Sequence, residues 1–107
     1  MPRGVRRRYI AVQLETASGV DQREFMKNVW GAVTKLFGEY GASQTELVLI
    51  DYDVVKGFAI IRARHTAMNM VRAALASITK IGDEPVAVHV LMVSGTLKAL
   101  RKKVSMG

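Results

Sequence analysis

Nine residues near the middle of the chain, Lys56-Gly57-Phe58-Ala59-Ile60-Ile61-Arg62-Ala63-Arg64, alternate with a period of two and carry the bulk of a strand. Successive side chains on a strand point to opposite sides, so Phe58, Ile60, Arg62 and Arg64 share one face while Ala59, Ile61 and Ala63 share the other. One face is small and dry; the other starts apolar and ends cationic. A central strand of this kind suits a sheet that packs helices on one side and meets an anionic partner at one edge.

At 107 residues the chain is sized for one domain with one core. Half its residues are hydrophobic and 23% are charged, a balance that favours folding over disorder. With no cysteine, disulfides, thiolate catalysis and cysteine metal sites are excluded, and a reducing, cytoplasmic setting fits. No apolar run approaches the ~18 residues of a membrane span, and no signal-type apolar stretch follows the basic N-terminus. A soluble, unexported protein with no membrane partner is expected.

The net charge of +7 is unevenly placed. All nine acidic residues lie between positions 15 and 84, against eight Lys or Arg in the same span. The excess comes from the ends: Arg3, Arg6, Arg7 and Arg8 before position 15, and Lys98, Arg101, Lys102 and Lys103 after position 84, with no acid in either segment. Segregation of this sort favours a polyanion, most simply nucleic acid, over a tail that only aids solubility.

In order, residues 1–8 read as a cationic arm, and Tyr9 to Glu15 as a strand with Ile10, Val12 and Leu14 on one side and Tyr9, Ala11 and Gln13 on the other. Asp21 and Glu24 have the spacing of a capping box, with Val20 and Phe25 placed as a hydrophobic staple. Phe25, Met26, Val29, Trp30, Val33, Leu36, Phe37 and Tyr40 then recur at helical spacing as one stripe expected to bury, with Gly38 and Gly41 as stops. Leu47 to Tyr52 reads as a strand too continuously apolar for its faces to be assigned. Thr66 is the expected cap of a second helix running to Ile78, with Met70, Val71, Ala74, Leu75 and Ile78 on one side. Gly82 to Pro85 ends that segment, Val86 to Val93 is the most strand-prone run, and Thr96 caps a basic helix over 96–104 with Leu97, Leu100 and Val104 as its apolar seam.

The predicted order, strand-helix-strand-strand-helix-strand plus a helix, is an α+β ferredoxin-like (βαββαβ) two-layer sandwich, RRM-like, with an additional C-terminal basic helix, all in one domain over 1–107. Right-handed crossovers and the usual strand order 4-1-3-2 put the start of the first strand and the ends of the third and fourth at one end of the sheet. The N-terminal arginines, Arg62, Arg64 and the start of the basic helix should therefore meet in space.

Catalytic constellations are scarce. His65 sits at a strand end and His89 in mid-strand, where packed or hydrogen-bonded roles are the usual ones. No His-x-x-x-His pair or carboxylate-rich metal loop is present; Asp51 and Asp53 share a strand side and read as a solvated strand end rather than a Mg²⁺ site. No catalytic and no metal-binding residue is assigned. RNA binding without catalysis fits better. Lys56-Gly57-Phe58-Ala59 matches the opening of the RNP1 pattern, with Tyr9 where an RNP2 aromatic would stand, but Ile60 and Ala63 replace the further stacking aromatics. A stand-alone RRM-like RNA-binding protein is thus one alternative. A small-molecule regulatory module on the same scaffold is another, and would show ligand stabilisation without dependence on polyanions. An acylphosphatase-like enzyme lacks its phosphate-cradling loop here.

Val93-Ser94-Gly95-Thr96-Leu97-Lys98, after the run Val86 to Met92, closely resembles the Val-Ser-Gly-Thr-Ile/Leu-Lys/Arg segment of the archaeal and eukaryotic ribonuclease P protein component 2 family. Arg8-Tyr9-Ile10 resembles the opening of that family's first strand, and Gly57 to Arg64 its Gly-Ile/Phe-x-x-x-Arg strand, with Arg62 at the basic position. In order and spacing the resemblance spans residues 6–104, and the lack of eukaryote-type extensions points to an archaeal source. It implies a protein subunit of an RNA-based endonuclease that removes the 5′ leader from precursor tRNA. The chain would be a subunit of an enzyme without being catalytic itself, and would bind no cofactor, Mg²⁺ coming through the RNA subunit. The implied partners are the ribonuclease P RNA, the barrel-fold protein component 3 and, indirectly, precursor tRNA; a homodimer stays open. Arg6, Arg7, Arg8, Arg62, Arg64, Lys98, Arg101, Lys102 and Lys103 are the expected RNA contacts, an internal ion pair of Arg62 with a carboxylate such as Glu15 being the competing role. Tyr9, Phe58, Leu97 and Leu100 are the expected partner-binding residues unless the last helix covers them.

Overall fold

In the computed structural model, which describes residues 6–106, the two alternating segments become neighbouring central strands, β1 (Arg7–Thr16) and β3 (Phe58–Arg64), paired antiparallel. The arm before Arg6, with Arg3, lies outside the described residues. Around that pair run α1 (Gln22–Ser43), β2 (Val48–Asp53), a 3-10 turn (His65–Ala67), α2 (Met68–Ser77), β4 (Lys80–Ile81), β5 (Glu84–Ser94) and α3 (Leu97–Met106). The sheet order is β2-β3-β1-β5-β4, every neighbouring pair antiparallel. This is the expected ferredoxin-like arrangement with one strand added: β4 forms a hairpin with β5 across Gly82-Asp83, with Gly82 at φ +63°.

Alternation assigns the two faces as expected. Ile10, Val12 and Leu14 of β1 and Ala59, Ile61 and Ala63 of β3 join Phe25, Val29, Val71 and Leu75 of the helices in the main core. On the other face Ala11 and Ile60 are buried beneath Leu100 of α3, with Tyr9, Ile50, Phe58, Met92, Leu97 and Val104 around them. The ferredoxin-like sandwich thus gains a third layer from α3.

The continuous run in β2 has a specific cause. Leu49 opposes Ile61 and Asp51 opposes Ile60, leaving Ile50 as the extra residue of a bulge. The bulge lets Leu49 and Tyr52, three apart, pack on the same main core while Ile50 joins the α3 side. A second bulge at Leu91 of β5 similarly sends Met92 to α3 and both Val90 and Val93 to the main core.

The helices need three corrections. Asp21 does cap α1, accepting the Arg23 N–H at 3.0 Å, but among the described residues Glu24 does not return the bond. The α1 stripe is wider than its contact with the sheet: Phe25, Val29 and Val33 are buried, whereas Trp30, Leu36, Phe37 and Tyr40 are exposed. Gly38, at φ +79° and ψ 171°, breaks the helix there, a conformation open essentially to glycine alone, and the chain resumes as helix through Gly41 to Ser43. In the third case Thr66 lies inside the 3-10 turn rather than capping α2, whose N-cap position is Ala67 without a side-chain bond; Met70 is only half-buried.

Candidate nucleic-acid interface

Register builds the site. Where β1 begins and β3 ends, Arg7 faces Arg64 and Tyr9 faces Arg62; on the other side of β1, Tyr9 faces Ser94 at the end of β5. Opposed residues of an antiparallel pair have their side chains on the same face, so Arg7, Arg62 and Arg64 form one cationic cluster. Backbone bonds close this rim: His65 N–H donates to Arg6 O at 2.9 Å, and Arg64 N–H to Thr45 O at 2.9 Å. Thr45 is fully buried and donates its hydroxyl to Ala42 O at 2.7 Å, which fixes the loop leaving α1 against β3.

Charge at the rim is nearly all of one sign. Glu46 is the exception. Held at φ +51°, it places one carboxylate oxygen 2.8 Å from Arg7 Nη2 and the other 3.8 Å from Arg64 Nη1. Arg62 makes no ion pair with any described residue, and the Nε atoms of both Arg62 and Arg64 are buried without a hydrogen-bond partner. The competing role for Arg62 is therefore not realised: Glu15 lies 3.5 Å from His89 Nε2 instead. A half-buried guanidinium without a carboxylate is what an incoming phosphate oxygen would satisfy.

Arg6, Arg7 and Arg8 line a shallow depression of about 360 Å³ together with Gly95, which follows β5. A Cβ at Gly95 would stand 3.6 Å from Arg8 Nη1, an ordinary contact that places the two side by side. Thr96 then caps α3 by accepting the Ala99 N–H at 3.1 Å, and Lys98 falls in the exposed first turn beside the rim. The inferred meeting of both chain ends is thus present for Arg6, Arg7, Arg8, Arg62, Arg64 and Lys98. Farther along, α3 descends the sheet: Arg101 Nη2 lies 3.6 Å from Asp51 Oδ2, directed to β2 rather than to the rim, while Lys102 and Lys103 are exposed beyond it.

The same packing places the four residues expected to bind a partner under or beside α3, as the competing role for them required. Leu100 is fully buried, and Tyr9, Phe58 and Leu97 pack around it as the α3–sheet cluster. With α3 over this face, Tyr9 and Phe58 are not an open stacking platform. The exposed aromatic surface lies instead on α1, at Trp30, Phe37 and Tyr40 beside Leu36, with Val48, Val54, Val55 and Leu91 exposed elsewhere. Its signal in the sequence was the width of the stripe, which covers more of a helix than one sheet contact can bury.

Comparison with known proteins agrees with this geometry. The profile of the Rpp14/Pop5 family matches residues 8–105. "Ribonuclease P protein component 2" of Halorubrum lacusprofundi is 37% identical over 100 residues, which cover 90% of this chain and 63% of that one. The protein of the same description from Methanosarcina mazei is 31% identical over 98 residues, covering 92% and 83%. The chain thus spans less than two thirds of the length of the haloarchaeal relative. Among solved structures, a chain in the cryo-EM structure of yeast ribonuclease MRP superposes with a TM-score of 0.73 at 16% identity, over 99% of this chain and 93% of that one, a likeness of fold.

Proposed function

The chain belongs to the Rpp14/Pop5 family, and from that premise we propose that it is a protein subunit of ribonuclease P, assisting removal of the 5′ leader from precursor tRNA. The carrying observation is the rim where Arg7 meets Arg64 and Arg62 stands without a carboxylate. Folded RNA brings phosphates close together at a cost in repulsion. A rigid cluster of guanidinium groups lowers that cost by replacing condensed counterions, and each neutralised phosphate adds to the salt dependence. Arg62 and Arg64, stiffened by half-burial, suit the bidentate geometry of phosphate oxygens. Contact of this kind reads shape and backbone rather than base sequence.

In this reading the RNA does the cutting and holds the Mg²⁺. No step of phosphodiester hydrolysis is assigned to the chain. The protein partner is the barrel-fold component 3, docked on the exposed Trp30, Phe37 and Tyr40 of α1, aromatic residues of the kind that anchor interfaces. Precursor tRNA is met through the RNA, in the cytoplasm. No helix among the described residues is long and apolar enough to cross a membrane.

Reconstitution tests the proposal. Adding the chain and its barrel partner to the RNA subunit is expected to restore precursor tRNA cleavage at low Mg²⁺, with Arg62→Ala shifting the Mg²⁺ requirement upward. No gain in cleavage from the chain at any Mg²⁺ concentration would overturn it.

A further inference from the structure

A second cationic surface lies away from the rim, in a groove of about 600 Å³ between α1 and the segment joining α2 to β4. Lys27 and Lys35 line it from α1 and Lys80 from β4, all three exposed. None is within ion-pair distance of a carboxylate of any described residue. Glu24 is the single acid on the lining. Gly31 lies between the two α1 lysines, where a Cβ would meet nothing within 4 Å, and the hydroxyl of Thr79 and the amide of Asn28 add polar groups to the walls.

We infer that this groove is a second RNA site, which takes a run of backbone phosphates and makes the chain a bridge between two segments of one folded RNA. The inference rests on the reading of the chain as an RNA-enzyme subunit. Lys27 and Lys35 are eight positions apart on an unbroken part of α1, hence about 12 Å along its axis, a span that suits successive phosphates more than a lone anion. An acidic protein segment is the less fitting occupant because stable peptide contacts centre on buried aromatic anchors. The groove lining has none; at 100° per residue, Trp30 and Phe37 project from the other flank of α1.

Placement makes bridging geometric. The rim is at the Tyr9–Ser94 end of the β1–β5 pair, and the groove abuts the opposite end, where Thr16 faces Val86 and Lys80 faces Pro85. Seven residue steps of β1 separate Tyr9 from Thr16, roughly 23 Å, which is the distance from the rim to the Lys80 end of the groove. One strand of RNA following the rim would not also fill the groove without wrapping the molecule; two separate segments would.

The test counts RNA molecules on the full chain, by analytical ultracentrifugation with a dye-labelled short RNA hairpin. Wild type is expected to bind two hairpins. The K27A/K35A/K80A variant should bind one, and so should R62A/R64A. With both sets removed, no hairpin should bind, and the groove binding left in R62A/R64A should have a log–log salt slope of about 2, the worth of three lysines. K27R/K35R/K80R should restore the second hairpin, and an unchanged thermal transition in each variant excludes misfolding as the cause. One hairpin on wild type, with K27A/K35A/K80A silent and R62A/R64A defective, would overturn the groove and leave the rim standing. Two hairpins unaffected by either set would sink the reading on which both rest. Saturation of the groove by a polyglutamate peptide that RNA fails to displace would assign it to an acidic protein and likewise overturn the inference.

Discussion

Gly57 shows how much a single residue holds in place. It sits at φ +66°, its carbonyl accepts the Leu14 N–H at 2.6 Å, and a Cβ on it would stand 2.6 Å from Leu14 O. Gln13 Nε2 secures the same turn by donating to Lys56 O at 2.6 Å. Gly57→Ala therefore meets both left-handed strain and backbone overlap, and is expected to destabilise the fold by about 2 kcal/mol or more, read as a lower urea midpoint at unchanged m. Tyr52 is a second such residue, its hydroxyl donating to Val20 O at 2.5 Å and its ring 5.5 Å from that of Phe25. Burial, and secondarily the Asp21 carboxylate, raise its pKa above the ordinary 10.0. The folded state then keeps its proton where the unfolded chain releases it, so this contribution is complete below pH 10 and is lost as pH rises through the raised value. Tyr52→Phe should cost about 1 kcal/mol at neutral pH and flatten the fall in stability that denaturant titration records as pH rises above the ordinary 10.0. Asp21 as a cap was legible from its type and position. The positive φ of Glu46 was not, because nothing in a glutamate signals that its backbone will turn left-handed.

At the scale of elements, legibility followed the length and regularity of each pattern. β1 and β3 alternate without interruption, and both faces read out of the sequence as they pack. β2 and β5 each carry a bulge, at Ile50 and Leu91, and one inserted residue moves every later side chain to the other face, which a strict period-two reading cannot follow. β4 has only two residues, too short for any period, and Gly82-Asp83 read as a terminator although it is a hairpin turn. In α1 the apolar stripe is wider than the sheet can cover, so Trp30, Leu36 and Phe37 stay exposed before the break at Gly38 and Tyr40 after it. α3 is the element whose role shifted most: its seam was legible, but what it covers depends on the third dimension. Leu100 is its anchor, fully buried between Ala11 and Ile60. Leu100→Ala should cost about 2–3 kcal/mol, the low end for a buried leucine because the cluster is small and can close in. Hydrogen exchange should locate the damage, with α3 amides exposed by local opening while β1 remains protected.

For the molecule as a whole, the order 2-3-1-5-4 is what turns a chain with basic ends into a chain with a basic rim. Arg7 and Arg64 are 57 positions apart in sequence and directly opposed in the sheet; their meeting was deducible from topology, whereas the carboxylate between them was not. Glu46 comes from the loop after α1, an element that the crossover rule leaves free, and its one negative charge partly offsets the two arginines beside it. This gives opposite predictions for two substitutions at one site. Arg62→Gln removes a guanidinium with no internal partner, so RNA binding should weaken and the salt slope should fall by about 0.7–0.9, one phosphate's worth. Glu46→Gln frees Arg7 and Arg64 at a stability cost of no more than about 1 kcal/mol, since the pairs are exposed, and binding should tighten with a steeper slope. Titration of both variants against the RNA subunit across a salt series decides it: slopes moving in the same direction would mean that the rim does not meet phosphate.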